Sequence, residues 1–150
     1  MSDKAIRIYI DTNVLINYCT GQQSDVQTLR YIFSQRRKET LFTSSLAIVQ
    51  TIANLQTKKK TRKAFSRTAA ISKLNDITPK LTILDLTYDD IKTGFNQSND
   101  DVEDSVHYVL SQKAKCDAIL TNNIADFAIF YNVMKLSPQM GLSTIKSDIN

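Results

Sequence analysis

Proline and glycine are scarce, two and three in 150 residues, so the frequent tight turns of an all-β fold are excluded and helices should dominate. Cysteine is scarce too. Cys19 and Cys116 have neither metal-ligand spacing nor a neighbouring His or Cys, and they read as reduced thiols rather than a disulfide. No apolar run approaches the ~18 residues of a membrane span. Met1-Ser2-Asp3-Lys4 does not open like a secretory signal, so the expected location is the cytoplasm. Repeats, low-complexity tracts and any composition break that would mark a linker are also missing. The expectation is a single globular domain over residues 1–150, long enough to bury about 68–70% of its unfolded surface without a staple.

Charge is present but unevenly placed. The net +4 comes from 19 basic and 15 acidic residues. Lys58-Lys59-Lys60-Thr61-Arg62-Lys63, continued by Arg67 and Lys73, forms one basic block, and Arg36-Arg37-Lys38 a smaller one. The acids gather elsewhere, at Asp85, Asp89 and Asp90 and then at Asp100, Asp101, Glu103 and Asp104. One acidic locus and one basic locus suit a metal-dependent enzyme acting on a polyanion, while the basic block alone also fits a solvated helix face.

Apolar spacing divides the chain into alternating strands and helices. Ile6, Ile8, Tyr9 and Ile10 predict a buried strand over 5–10, followed by a helix over about 12–19. Val26, Leu29, Ile32 and Phe33 predict a second helix, and 40–43 a short strand. Ser44 or Ser45 caps a helix carrying Leu46, Val49, Ile52, Ala53 and Leu55, and the basic segment falls within another helix over about 61–75. Further strands are expected at 81–84, 117–120 and 133–136. Helices are expected around Tyr88–Phe95 and 101–114, with Asp100 and Glu103 in capping-box spacing before the latter. Strands separated by helices imply a parallel sheet covered on both faces.

Polar residues then collect at one rim. Strand one runs into Asp11-Thr12-Asn13 and strand four into Thr121-Asn122-Asn123, with Asp126 just beyond. The helix opening with Asp101, Glu103 and Asp104 runs antiparallel to the strands, which brings its first turn to the same carboxyl edge. Ligands bind beyond the carboxyl ends of strands in open α/β sheets, so Asp11 reads either as a site acid or as a helix N-cap. Carboxylates that converge raise one another's pKa unless a cation neutralises them, and an oxygen-only set points to Mg²⁺ or Mn²⁺ rather than zinc.

The phrases IDTNVLINY and DVEDSVHYVLSQKAKCDAILTNNIADF resemble the PIN-domain signature, over roughly residues 6–138. The resemblance implies a three-layer α/β/α sandwich with a five-stranded parallel sheet. It also implies Mg²⁺- or Mn²⁺-dependent endoribonuclease activity of the VapC kind, acting as the toxin of a type II toxin–antitoxin pair. RNA, a cognate antitoxin protein and a second copy of the chain are the partners it implies. Asp11 and Asp104 match the family's acids, Asn123 a position after strand four that is often Asp, and Asp126 the Asp-Phe element beyond. Thr12, Asn13 and Thr121 match positions that orient carboxylates or the attacking water.

Glu103 fits either the capping box or the metal site, and Asp101 either a first-turn complement to the helix dipole or a metal-water contact. His107 reads as structural, and Phe65 as core rather than a stacking platform for bases. Lys58, Lys59, Lys60, Arg62, Lys63 and Arg67 could follow an RNA backbone. One departure stands out: Gln50 occupies the position where the pattern usually has Glu, which with Asn123 removes negative charge. Hence the alternative of a catalytically weak or inactive RNA- or protein-binding module. A phospho-accepting Asp11 is a poorer fit, because Asn13 stands where phosphatases carry a second Asp and no lysine closes strand five.

Overall fold

The computed structural model describes residues 5–150; Met1–Lys4, read above for a secretory signal, lies outside the described residues. A five-stranded sheet with order β3-β2-β1-β4-β5 holds β1 (Ile8–Ile10), β2 (Leu41–Ser44), β3 (Thr82–Leu84), β4 (Ala118–Leu120) and β5 (Met134–Leu136). Every pairing is parallel, and Ile8, Tyr9 and Ile10 lie opposite Ala118, Ile119 and Leu120. The central strands are buried throughout, which explains their continuous apolar runs.

Strand alternation sends consecutive side chains to opposite layers. Ile8, Ile10, Ala118 and Leu120 join a core built with α1 (Thr12–Cys19), α2 (Gln23–Gln35), α3 (Ser45–Leu55), α4 (Arg67–Ile77) and α7 (Leu142–Ile149). Tyr9 and Ile119 face the other layer, where they meet Val106 and Leu110 of α6 (Val102–Lys113) and the aromatic pair Phe127 and Phe130. Against α6 lies α5 (Tyr88–Phe95), close enough that a Cβ on Gly94 would sit 2.7 Å from Val106 Cγ2. Cys19 and Cys116 are free and buried, and burial pushes their thiols up to about 11 and about 12. Among the described residues no helix is long and apolar enough to cross a membrane.

The expected elements are present, with four differences. The basic segment is not helical: α4 begins only at Arg67, capped by Ser66, and residues 59–62 form a tight turn closed by a Lys59–Arg62 bridge. Its cause is tertiary. Arg62 donates to the carbonyls of Asn54 and Leu55 and to Asn54 Oδ1, giving the exposed carbonyl end of α3 its partners. The α6 cap also lies one residue later than the spacing suggested, with Asp101 Oδ1 accepting from Asp104 N–H at 3.1 Å. Val49, placed in the apolar spacing of α3, is exposed. Finally, α7 seals the first core with Ile145 and Ile149, a helix that the pattern beyond Pro138 had not suggested.

Candidate active site

Strand β1 ends at the carboxyl edge of the sheet, and Asp11 follows at once with only 3% of its surface exposed. Such a carboxylate is tolerable only if its oxygens are partnered. Oδ1 accepts from Thr12 N–H, and Oδ2 from the Asn13 amide and the Thr121 hydroxyl, each at 2.8 Å. The N-cap and site-acid readings of Asp11 thus coexist: one oxygen caps α1 and the other faces the end of β4. Asn13 carries the link further, since its Oδ1 accepts from Asn122 N–H at 2.9 Å, while Asn122 Nδ2 donates to the buried Asp25. Two polar segments 110 residues apart in sequence are therefore bolted together around one carboxylate.

Asp104, in the first turn of α6, has the opposite surroundings. It is half-buried, and among the described residues no donor reaches its carboxylate. Burial raises its pKa to about 7, and the negative charges of Asp101, Asp11, Asp126 and Glu103 push the same way.

A pocket of about 450 Å³ joins the two acids. Asp11 with Thr12 and Asn13 of α1, Gln50 and Asn54 of α3 with Thr57 just beyond it, and Glu103, Asp104 and His107 of α6 line it. Thr121 does not line the pocket itself and reaches it through Asp11, to which it donates at 2.8 Å, and Asn13, from which it accepts at 3.3 Å. Asp101 is used as the α6 cap, while Asn123 and Asp126 are exposed and do not line the pocket, Asp126 acting on Asp104 through its charge. Of the basic residues, Arg62 is committed to the end of α3 and lies over the Phe65 ring, and Phe65 packs on the core. Lys58, Lys59, Lys60, Lys63 and Arg67 are exposed.

His107 is more than filler. It is buried at the pocket wall, with Nδ1 2.7 Å from the Tyr9 hydroxyl and Nε2 2.9 Å from Gln50 Oε1. Burial lowers its pKa, and its Nε2 lies 3.9 Å from Asp11 Oδ1. Tyr9 continues the chain to Ser44 Oγ at 2.7 Å, and burial raises its own pKa. A lone tyrosine in an otherwise aliphatic strand was the available clue, since a buried hydroxyl needs a partner.

The donor set suits a hard dication poorly at first count: among the described residues no three His, Cys, Asp or Glu side chains gather as a ligand group. It fits an ion that keeps most of its water, because Mg²⁺ is commonly held by one or two carboxylates plus substrate phosphate. Asp104, half-buried and with no donor at its carboxylate among the described residues, is a pocket acid that such an ion could pair with.

A family model described as PIN domain matches residues 7–125. Comparison with curated protein sequences gives no match. Among solved structures, the chain is similar to VapBC2 from Rickettsia felis bound to a promoter DNA fragment, at 15% identity and TM-score 0.65, over 88% of this chain and 98% of that one. DNA-bound VapBC from Salmonella typhimurium matches at 12% identity and TM-score 0.64, over 89% and 98%. VapC20 of Mycobacterium tuberculosis, a sarcin–ricin loop cleaving toxin, matches at 12% identity and TM-score 0.61, over 84% and 96%. At these identities the likeness is one of fold.

Proposed function

The chain belongs to the PIN-domain family, and from that premise we propose that it is a Mg²⁺- or Mn²⁺-dependent endoribonuclease whose centre is the pair Asp11 and Asp104. The carrying observation is the contrast between them across one pocket: a carboxylate locked by three donors faces one with none. Asp11 and Asp104 would hold the ion, with Glu103 at the pocket mouth as an outer contact through water. When bound, the ion would neutralise charge on the scissile phosphate and acidify an attacking water.

The chain's own residues do the rest. Thr12 N–H, Asn13 and Thr121 fix the Asp11 oxygens, so the carboxylate needs no reorganisation when substrate arrives. Thr57 leads the pocket toward Lys58, Lys59, Lys60 and Lys63, where an RNA backbone would find cations without base reading. Asn123 and Asp126, at the exit of β4, add polar and negative surface beside Asp104. The likeness to toxin structures, one of them a toxin–antitoxin complex from Klebsiella pneumoniae, supports a toxin role with a protein antitoxin as partner.

The second reading, a PIN-like module that binds RNA or protein without turnover, is favoured by the missing third acid and by Gln50. Calorimetric titration with Mn²⁺ at neutral pH, paired with cleavage assays on wild type and Asp11→Asn, separates the two. The nuclease reading expects metal uptake and cleavage by wild type, and a loss of at least about 10²-fold in the variant. Metal-independent cleavage, or equal cleavage by the variant, rejects it.

A further inference from the structure

Gln50 stands where the family pattern usually has Glu, and the simple reading is that its amide oxygen does the same work less well. The hydrogen bonds contradict that. Oε1 already accepts from the Thr12 hydroxyl at 2.7 Å and lies 2.9 Å from His107 Nε2, so its two lone pairs are engaged if that nitrogen carries the proton.

Counting hydrogens along the buried chain fixes the proton. Ser44 Oγ accepts from Ala47 N–H at 3.2 Å as the cap of α3, and among the described residues the only acceptor for its own hydrogen is the Tyr9 oxygen at 2.7 Å. Tyr9 must then donate onward to His107 Nδ1 at 2.7 Å. With Nδ1 accepting, the neutral ring carries its hydrogen on Nε2 and donates to Gln50 Oε1. The opposite direction would leave the buried Ser44 hydroxyl with no acceptor, which is costly. Gln50 Nε2 is the end left over. It has no partner among the described residues, and it is not among the buried unpartnered atoms, so it is open to solvent on a residue that lines the pocket.

Resting on the RNA-cleaving reading, we infer that Gln50 is a substrate-positioning donor whose Nε2–H₂ holds a non-bridging phosphate oxygen of the RNA, and that its carbonyl is not a metal ligand. Replacing Glu by Gln then changes the chemistry of the position from attracting a cation to attracting an anion, and the Ser44–Tyr9–His107 chain keeps the amide turned that way. Tyr9 and His107 act through Gln50 and are positioning residues.

The chain has a single histidine, so its imidazole ¹⁵N pattern is unambiguous. Long-range ¹H–¹⁵N correlation on the wild-type protein at neutral pH should show the Nε2–H tautomer. An Nδ1–H tautomer overturns the inference, because Nε2 would then be an acceptor, taking the Thr12 hydroxyl 3.3 Å away or a turned Gln50 amide, and Oε1 would no longer be held by two donors. This measurement involves neither RNA nor metal, and its failure leaves the nuclease reading standing. The second arm compares wild type and Gln50→Leu in binding Mn²⁺ alone and a short single-stranded RNA in Ca²⁺ buffer. RNA affinity should fall about tenfold, as for loss of one charge-assisted hydrogen bond, with Mn²⁺ affinity held within about twofold. A tenfold fall in Mn²⁺ affinity, or unchanged RNA affinity, overturns the inference. If wild type binds no RNA, the phosphate role and the nuclease reading fall together, and the tautomer still reports which way the amide faces.

Discussion

The end of β1 and the start of α6 supply the same chemical group to one pocket and treat it in opposite ways. Asp11 is almost wholly buried and fully answered, with three donors at 2.8 Å. Asp104 is half-open and unanswered, and burial together with four neighbouring carboxylates raises its pKa to about 7. The first region is complete as a folded object. The second carries a charge that the protein does nothing to neutralise, a poor solution for stability and a good one for recruiting a cation.

Substituting each acid by its amide tests that contrast most severely. In both Asp11→Asn and Asp104→Asn, RNA cleavage should fall by at least about 10²-fold, since each removes charge from the proposed ion site. Their stabilities should part company. Asn at 11 turns a donor toward Thr121 or Asn13, leaving a buried hydrogen bond broken at about 1–3 kcal/mol. Asn at 104 relieves repulsion, and urea melts near pH 8 without metal should place it at or above wild type. Equal destabilisation by the two variants would erase the distinction.

A smaller effect belongs to the basic turn. Lys58, Lys59, Lys60 and Lys63 replaced together by Ala should weaken RNA binding about tenfold at low salt and flatten its log–log salt dependence by roughly 0.7 for each phosphate left without a lysine. Mn²⁺ affinity should stay as it was, because neither acid is touched. Arg62→Ala should behave differently, lowering stability more than it changes the salt slope, since its guanidinium closes α3 rather than facing solvent.

Sequence periodicity carries the sheet and the convergence of its rim because both follow from local pattern: apolar strands, caps, and the direction a parallel crossover imposes. The boundaries of α1 at Thr12 and Cys19 fall where spacing puts them. The turn at 57–66 was not legible, because a helix-compatible sequence is held out of helix by one arginine reaching back to α3. Nor was the role of His107, which depends on partners from β1 and α3 that no spacing rule brings together. Asn122 is similar: it sits in the strand-four motif, yet its grip on Asn13 and Asp25 exists only once α1 and α2 are packed.

The subtlest expected effect is the pH dependence of stability without metal. A carboxyl whose ordinary value is 3.8 and whose folded value is about 7 binds its proton more tightly in the native state. Between those pH values the folded chain holds more protons than the unfolded one, so the stabilisation is fully present below about pH 4 and lost as pH rises through about 7. Asp104 is partly open to water, so the slope should be only a fraction of the ~1.4 kcal/mol per pH unit that one whole proton gives. Asp104→Asn should remove this slope, whereas Asp11→Asn should merely soften it, since Asp11 supplies one of several contributions. Saturating Mn²⁺ should reverse the trend, because an ion that binds only the folded chain stabilises it most where Asp104 is ionised. A wild-type slope persisting unchanged in Asp104→Asn would mean that the uncompensated charge lies elsewhere, and with it the reason for placing a cation between these two acids.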